Sequence, residues 1–502
     1  MPDVLRRYIL SIDQGTTSSK VMVFDHAGAV VDQASREITQ FYPEPGWVEH
    51  DAVEIWHTVY DSCAEIFGRG IVLPDEIAAI GITDQRETTT VWDRSTGEPI
   101  ARAICWQSRQ TAPICERLKA KGLEEMVRSR TGLLIDPYFS ASKILFLMEN
   151  VPGAADRAAR GELAFGTVDC WLMYNLSGKK AHVTDYTNAS RTLLLDIHKV
   201  AWDDGLIDGI GVERSLLPEL KPSSGMLCMT DPEVFFGQEI PISGVAGDQH
   251  AATFGQACFE PGMAKNTYGT SLALFMNTGP APVVSRFGLT TDLGWVLGGR
   301  TEYALEGVVF VGGAAVQWLR DGLGIIKTSR ECDELAETVP DTGGLYMVPA
   351  FTGLCAPYWD TYARGMMIGI TRGTSRAHIC RATLESLAYQ TRDVIEAMTA
   401  DSGVHMESLR VDGKATRSEF LMQFQADILG IPVELPAITE MACLGAAYLA
   451  GLGVGFWRNT AELATQWRRA RLYEPNMSLD QSTSLYAGWK KAVVRSMGWA
   501  KE

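Results

Sequence analysis

The sequence predicts an α/β protein, because short apolar runs alternate with longer amphipathic segments along the chain. Residues 8–12, 77–82 and 241–247 are short apolar runs of the kind that form buried strands. After Asp51, apolar residues recur with helical spacing, and the same spacing returns in the second half of the chain. Alternation of strands and helices favours the α/β class.

The first fifty residues predict a β-hairpin whose polar turn is available to a ligand. Apolar residues 8–12 and 21–24 flank the polar residues 13–19. A helix is predicted after Asp51, since Val53, Ile55, Trp56, Val59, Tyr60 and Cys63 keep one apolar side. The middle of the chain, before the strand at residues 241–247, is predicted to be rich in loops.

The second half of the chain restarts this pattern, and we place a domain boundary at residue 255, which gives segments 1–255 and 256–502. Aligning residues 9–18 with residues 263–272 superposes Gly15-Thr16 on Gly269-Thr270. A duplicated domain explains this match, and a chance similarity of two G-T turns explains it equally well.

Further elements continue the α/β pattern of the second half. Residues 381–400 carry one apolar face and predict a helix that stops before Gly403, and a strand-like segment follows at residues 409–413. Residues 441–457 form a long uncharged stretch, but repeated glycines interrupt it and it is too short for a membrane span. We interpret this stretch as a buried helix followed by a glycine turn.

Composition excludes several classes of protein. The 502 residues include 45 basic and 61 acidic side chains, so the formal net charge is -16 and no dominantly basic surface is available for nucleic acid. Ten cysteines are spread along the chain without a C-x-x-C pair, which favours a reducing compartment. No export signal is recognisable. We therefore expect a cytoplasmic protein with no nucleic-acid partner and no stable membrane insertion.

The turn D-Q-G-T-T-S-S at residues 13–19 is the first candidate site. It combines the carboxylate of Asp13, the flexible Gly15 and four hydroxyl groups, and Lys20 follows it. Backbone amides and hydroxyls can donate to phosphate oxygens, and a carboxylate is a hard ligand for Mg2+. An ordinary hydroxyl-rich hairpin turn is the alternative. The Walker A and protein-kinase motifs are absent, so any phosphate site here has another architecture.

Two further segments place charged residues just beyond predicted strands. Arg86 and Glu87 can donate to and accept from hydroxyl groups, although a simple surface ion pair is the alternative. Asp248 follows a glycine at a strand end, where a carboxylate can accept a hydroxyl proton. A helix cap is the alternative for Asp248.

Taken together, these segments resemble the FGGY family of carbohydrate kinases, and within it the members that phosphorylate glycerol. The resemblance runs from about Tyr8 to Trp499 and rests on D-Q-G-T-T-S-S (13–19), P-G-W-V-E-H-D (45–51), G-I-T-D-Q-R-E-T-T (81–89), T-D-Y-T-N-A-S-R-T (184–192), G-M-A-K-N-T-Y-G-T (262–270), Y-A-L-E-G (303–307), Q-W-L-R-D (317–321) and L-G-A-A-Y-L-A-G (444–451). It implies two actin-like, ribonuclease H-like domains with an interdomain cleft. It also implies ATP as co-substrate, Mg2+, a small polyol as substrate, and a homo-oligomer, either a dimer or a tetramer.

The same resemblance implies roles for individual residues. Asp248 is expected to be the catalytic base, and Asp13 is expected to organise Mg2+. The residues implied for polyol binding are Arg86, Glu87, Trp106, Tyr138, Asp248 and Gln249. The residues implied for nucleotide binding are Thr16, Thr17, Ser18, Lys20, Thr270, Gly313, Gln317, Lys414 and Ser418.

Departures from the family pattern keep two alternatives to glycerol phosphorylation open. Ala273 stands where the family has a phenylalanine that covers the polyol, so a longer polyol such as erythritol is one alternative. Ser271, Cys355, Lys414 and Ser418 depart from the pattern near the nucleotide, so a catalytically impaired, ligand-sensing homologue is the other. Retention of Asp13 and Asp248 argues against the impaired homologue.

Overall fold

A continuous sheet of 13 strands passes through both halves of the chain, in a computed structural model that describes residues 6–501. The strands are β1 (Tyr8–Gln14), β2 (Ser18–Phe24), β3 (Val30–Glu37), β4 (Glu49–His50), β5 (Ile77–Asp84), β6 (Thr90–Asp93), β7 (Ala103–Ile104), β8 (Leu163–Gly166), β9 (Val183–Asp185), β10 (Leu195–Asp196), β11 (Ala201–Trp202), β12 (Glu219–Lys221), β13 (Ser224–Met229), β14 (Pro241–Gly247), β15 (Ala264–Tyr268), β16 (Leu272–Gly279), β17 (Thr290–Leu297), β18 (Arg300–Val309), β19 (Tyr346–Val348), β20 (Met366–Ile368), β21 (Leu409–Asp412), β22 (Val433–Pro436) and β23 (Arg469–Tyr473). The helices are α1 (Ala52–Gly68), α2 (Ala112–Ala120), α3 (Glu124–Thr131), α4 (Ser140–Asn150), α5 (Ala154–Ala159), α6 (Val168–Leu176), α7 (Tyr186–Ser190), α8 (Asp204–Ile210), α9 (Asp248–Gly255), α10 (Ala314–Asp321), α11 (Ser329–Glu337), α12 (Arg376–Ser402), α13 (Glu419–Leu429), α14 (Met441–Gly453), α15 (Thr460–Gln466) and α16 (Leu479–Ser496).

The two halves repeat one topology. In the first half, strands pair in the order β3-β2-β1-β5-β14, with β2 antiparallel to both neighbours and β1, β5 and β14 parallel. In the second half, β18-β16-β15-β21-β22 follow the same order with the same directions. The hairpin β1–β2 therefore corresponds to β15–β16, and the duplication is confirmed, as is the prediction of two actin-like domains.

Most predicted elements are present at their expected places. Asp51 caps α1 by accepting hydrogen bonds from the backbone of Val53 and Glu54. The helix predicted over residues 381–400 begins one turn earlier, at Arg376, and ends before Gly403, whose φ of 68° lies in the left-handed region. The predicted buried helix of the uncharged stretch is α14.

The prediction of a loop-rich middle is wrong. Residues 112–210 contain the seven helices α2 to α8, each of five to eleven residues. Helices of one to three turns are too short to show a clear period of 3.6 residues, so their pattern in sequence resembles that of loops. The helices α2 to α5 and α8 contribute to a separate apolar cluster around residues such as Leu133, Ile144 and Phe165.

The helix α14 of the second half packs directly on the first half of the chain. A Cβ atom added at Gly445 would lie 1.7 Å from the backbone oxygen of Ala251 in α9. On the sheet side, glycines again allow backbone contact, since a Cβ at Gly81 in β5 would lie 2.2 Å from the oxygen of Ala446. The absence of side chains at these glycines is what allows the two halves to approach so closely.

None of the helices within residues 6–501 has both the length and the apolar character needed to cross a bilayer.

Candidate active site

The turn of the hairpin β1–β2 presents the hydroxyl-rich segment predicted to bind phosphate. Its backbone is closed by a hydrogen bond of 2.9 Å from the Gly15 amide to the Ser18 carbonyl oxygen. Thr17 is exposed, whereas the Thr16 hydroxyl accepts a hydrogen bond of 2.9 Å from the indole Nε1 of Trp106. This bond connects the predicted phosphate turn to a residue predicted to line the polyol pocket.

Asp13, predicted to organise the metal ion, lies at the end of β1 in a strongly perturbed environment. Burial and the nearby Asp248 carboxylate together raise the pKa of its carboxyl group to about 6, although Lys20 acts in the opposite direction. The Cys443 thiol lies 3.7 Å from Asp13 Oδ2. A buried carboxylate such as that of Asp13 is stabilised in its charged form by a divalent cation, for which it is a hard oxygen ligand.

Arg86, Glu87 and Asp248 come together where β5 and β14 end side by side. Arg86 Nε lies 3.2 Å from Asp248 Oδ1, and the Arg86 Nη1 atom is buried without a protein partner within residues 6–501. Asp248 is the first residue of α9 and its side chain is 36% exposed, whereas the Arg86 and Glu87 side chains are almost completely buried. The accessible carboxylate of Asp248 therefore lies beside the Arg86 guanidinium, whose Nη1 atom can still donate a hydrogen bond to a ligand.

A buried ionic cluster supports these residues and joins the two halves of the chain. Its centre is Arg191, which is fully buried and contacts Glu87 at 2.5 Å, Asp292 at 2.6 Å and Glu306 at 2.9 Å. Arg86 also binds Glu306, at 2.5 Å. Burial opposes ionisation of Glu306, but Arg191 and Arg86 outweigh it and lower the pKa of Glu306 to about 2.

Sequence reasoning from residue types did not select Arg191, Asp292 or Glu306. Arg191 and Glu306 lie within the resembling stretches T-D-Y-T-N-A-S-R-T and Y-A-L-E-G, and that is the signal that could have marked them. Their meeting depends on the pairing of β17 with β18 and on α7 lying against β17, which no local pattern predicts.

Two aromatic residues form a wall beside the charged groups. The rings of Trp106 and Tyr138 meet edge to face, with centroids 5.6 Å apart. The Arg191 guanidinium lies 5.3 Å from the centre of the Tyr138 ring, so the wall also contacts the ionic cluster. An aromatic wall next to hydroxyl-binding groups suits a small molecule with alternating carbon and hydroxyl faces.

Gln249 is oriented by Lys265, a fully buried residue of β15 that the sequence reasoning did not select. Lys265 Nζ contacts Gln249 Oε1, donates to Thr267 Oγ1 at 2.8 Å and to the Ala273 carbonyl oxygen at 3.3 Å. Because an ammonium group only donates, the amide oxygen of Gln249 must face Lys265. The amide nitrogen of Gln249 is then left to donate to a ligand.

The residues predicted to bind nucleotide gather around the second hairpin turn. The Thr270 carbonyl oxygen accepts hydrogen bonds from Gly312 at 2.9 Å and Ala314 at 3.1 Å, and Gly313 donates to Gly269 at 2.9 Å. These bonds place the turn against the beginning of α10, which carries Gln317 with an exposed side chain. A Cβ at Gly313 would lie 2.8 Å from the Gly269 oxygen, so this contact requires glycine.

Lys414 and Ser418 flank a short turn that follows β21. Lys414 is exposed, and the preceding Gly413 packs over the backbone of Tyr268 with a φ of 95°. Ser418 is buried, caps α13 and donates its hydroxyl hydrogen to Asp333. The Ser418 hydroxyl is therefore already engaged by the protein, whereas the Lys414 side chain is exposed to solvent.

Lys20 faces the opposite half of the chain. Its Nζ lies 3.5 Å from Glu440 Oε1, just before α14, and both side chains are about one-third exposed. The pair bridges the predicted phosphate turn and the second half.

Comparison with known proteins identifies the family. A model of the N-terminal domain of the FGGY family of carbohydrate kinases matches residues 8–255, and the model of the C-terminal domain matches residues 264–454. The chain belongs to the FGGY family of carbohydrate kinases. Curated FGGY relatives include the glycerol kinase of Geobacillus sp. (strain WCH70) and glycerol kinase 2 of Thermotoga maritima, each 56% identical over 99% of this chain and 100% of the relative.

Solved structures of FGGY kinases share the whole fold. The crystal structure of Plasmodium falciparum glycerol kinase with ADP matches with a TM-score of 0.91 and 36% identity, covering 97% of this chain and 98% of that one. A gluconate kinase from Lactobacillus acidophilus matches with a TM-score of 0.87 at 22% identity, which shows the fold alone.

Proposed function

We propose that this chain transfers the γ-phosphoryl group of ATP to glycerol and so forms sn-glycerol 3-phosphate. The observation that carries the proposal is the accessible carboxylate of Asp248, held by Arg86 among otherwise buried charges. The relatives that are 56% identical over nearly the whole chain carry the name glycerol kinase, and they support this choice of substrate.

The residues around Asp248 can bind the hydroxyl groups of a polyol. Arg86 donates from its free Nη1 atom, Glu87 accepts through its carboxylate, and the amide nitrogen of Gln249 donates. Trp106 and Tyr138 cover the carbon atoms and exclude water, which would otherwise compete as phosphoryl acceptor. Because Arg191 and Glu306 already hold Glu87 and Arg86, these groups need little reorganisation when the polyol binds.

Asp248 then acts as general base in the transfer step. Its carboxylate accepts the proton of a terminal hydroxyl group, whose oxygen forms a bond to the γ-phosphorus. The bond from the γ-phosphorus to the bridging oxygen breaks, and ADP leaves with that electron pair. The proton stays on Asp248 until it is released to solvent, which the 36% exposure of this side chain allows.

The phosphates are proposed to lie between the two hairpin turns, near Thr16, Thr17, Ser18 and Thr270, with Lys20 close by. Gly313, Gln317, Lys414 and Ser418 are proposed to line the rest of the nucleotide site. No group of three or more His, Cys, Asp or Glu side chains within residues 6–501 can hold a metal ion by itself. This fits Mg2+, which commonly binds one or two carboxylates and completes its shell with phosphate oxygens and water. Asp13 is the proposed protein ligand, and Mg2+ would supply neutralisation of phosphate charge.

An assay of ADP release with glycerol, with erythritol and without acceptor tests this function. We expect release that depends on glycerol and is fastest with it. A marked preference for erythritol would support the longer polyol suggested by Ala273, and no release with any polyol would support the impaired homologue. Release that does not depend on an acceptor would instead indicate an ATPase.

We also propose an oligomeric state and a cellular compartment for the protein. The family resemblance favours a homo-oligomer, a dimer or a tetramer, which light scattering on the purified protein measures directly. The even distribution of ten free cysteines favours the reducing cytoplasm, which fractionation of cells checks.

A further inference from the structure

We propose that Lys143 is a positioning residue, which places two polyol-binding residues, Glu87 and Tyr138, relative to each other. Its buried ammonium group does so by donating hydrogen bonds to the backbone carbonyl oxygens of both residues. This inference rests on the proposed function, in which Glu87 and Tyr138 hold the substrate. Lys143 itself is separated from the polyol by the residues it holds.

The environment of Lys143 is unusual for a lysine. The residue lies in α4, is fully buried, and has no carboxylate within ion-pair distance in the part of the chain that the structure describes. Its Nζ donates instead to two backbone carbonyl oxygens, that of Tyr138 and that of Glu87, the latter at 3.3 Å. A buried ammonium group without a carboxylate partner is unfavourable unless hydrogen bonds replace its hydration. The two carbonyl oxygens therefore supply what stabilises the charge of Lys143 in this position.

The backbone of Glu87 is held in an unusual conformation by Lys143 and two hydroxyl groups. Its φ is 62°, in the left-handed region that residues other than glycine rarely adopt. Three donors converge on its carbonyl oxygen and hold this conformation: the hydroxyl groups of Thr89 at 3.0 Å and Ser140 at 3.1 Å, and the Lys143 ammonium at 3.3 Å. The unusual backbone in turn directs the Glu87 carboxylate towards Arg191 and Arg86.

The second contact of Lys143 extends its influence to the aromatic wall. Tyr138 contacts Trp106 edge to face, and its backbone carbonyl oxygen is held by the same ammonium that holds Glu87. Glu87 and Tyr138, which are far apart in sequence, therefore meet at one point charge. Replacing that charge should loosen both the hydroxyl-binding carboxylate and the wall, and it should leave the nucleotide side unchanged.

The titration of Lys143 offers an independent readout. Burial lowers the pKa of Lys143 to about 8, while Glu87, Cys105, Asp136 and Cys115 act in the opposite direction. Above this pH the group becomes a neutral amine, whose hydrogen bonds to the two carbonyl oxygens are weaker than those of the ammonium group. The KM for the polyol should therefore rise as the pH increases through about 8.

The test compares steady-state kinetics of the wild type with Lys143→Met and Lys143→Arg. We expect Lys143→Met to raise the KM for glycerol about 10-fold or more while the KM for ATP stays within about twofold, because misplaced binding groups weaken only their own substrate. Lys143→Arg keeps the charge and should restore part of the affinity. Ser140→Ala, which removes one donor to Glu87 and leaves Tyr138 held, should have a smaller effect in the same direction.

Two controls separate positioning from general stability and charge. Ile144 follows Lys143 in the same helix, and Ile144→Val removes one buried methyl group without changing the hydrogen bonds to either carbonyl oxygen. Lys180→Met makes the same chemical change as Lys143→Met, but at an exposed site. Both should keep the wild-type KM for glycerol.

An unchanged KM for glycerol in Lys143→Met, or equal changes in both KM values, would overturn the inference. If Lys143→Met does not fold, a wild-type KM for glycerol that is constant between pH 7 and pH 9 would overturn it instead. Wild-type protein without polyol-dependent ADP release would overturn the proposed function and this inference together.

Discussion

Replacing Gly445 by alanine is predicted to move Asp248, the proposed catalytic base, without contacting it. The added Cβ would lie 1.7 Å from the backbone oxygen of Ala251, and nonbonded carbon and oxygen atoms need about 3.0 Å or more. The helices α9 and α14 must therefore separate by about 1.3 Å at this point. Asp248 begins α9 three residues before Ala251, so the carboxylate moves with the helix.

The expected effect is large because phosphoryl transfer depends on geometry. A misplacement of about 1 Å costs roughly 100-fold in rate, so kcat/KM for glycerol should fall about 100-fold. Overpacking of this kind also destabilises by about 1–3 kcal/mol, partly offset by about 1 kcal/mol of better helix propensity for alanine.

Coupled ADP-release kinetics and urea unfolding measure both effects. Gly68→Ala is the matched control, since Gly68 ends α1 and a Cβ there meets nothing within 4 Å. That variant should keep wild-type activity and gain up to about 1 kcal/mol in the free energy of unfolding. A Gly445→Ala protein with more than half of the wild-type kcat/KM would refute the argument that α9 must move.

Three further predictions concern the charged groups. Asp248→Asn should lower kcat at least about 100-fold, because the proposed general base is lost. Calorimetry should still detect glycerol binding to this variant. Activity near that of the wild type would exclude Asp248 as the base. Because the pKa of Asp13 is about 6, its carboxylate becomes protonated as the pH falls through that value. More Mg2+ should therefore be needed for half-maximal activity at pH 5.5 than at pH 7.5. An equal Mg2+ requirement at both pH values would contradict Asp13 as ligand. Arg191→Met leaves Glu87, Asp292 and Glu306 buried without their cation and should destabilise by about 3–5 kcal/mol in urea unfolding. The control for Arg191→Met is Arg330→Ala, which removes an arginine side chain that is 87% exposed. This control should change the free energy of unfolding by less than about 0.5 kcal/mol.

The sequence predicts the backbone of the fold better than the contacts between distant charges. The hairpin β1–β2, the strands β5 and β14 and the helix α14 follow from apolar periodicity, since each is long enough or sharply bounded by polar turns. The short helices α2 to α8 do not, because their few turns leave no measurable period.

The candidate site shows the same division. Arg86, Glu87 and Asp248 are visible in sequence because each follows a strand end, and parallel strands bring such ends together. Arg191, Lys143 and Lys265 are not, because a buried cation that does not follow the carboxyl end of a strand has no local signature. Only the fold reveals that Arg191 faces three acids and that Lys143 faces two carbonyl groups.

The close crossing of α9 and α14 has a mechanical consequence. Because backbone touches backbone at Gly445, the two halves are in tight contact there, and a relative rotation that keeps this contact turns about the crossing as a pivot. Displacement then grows with distance from the pivot. Asp248, three residues from the contact, then stays nearly stationary, whereas parts of the chain further from the crossing travel further, so opening of the molecule would leave the proposed base in place.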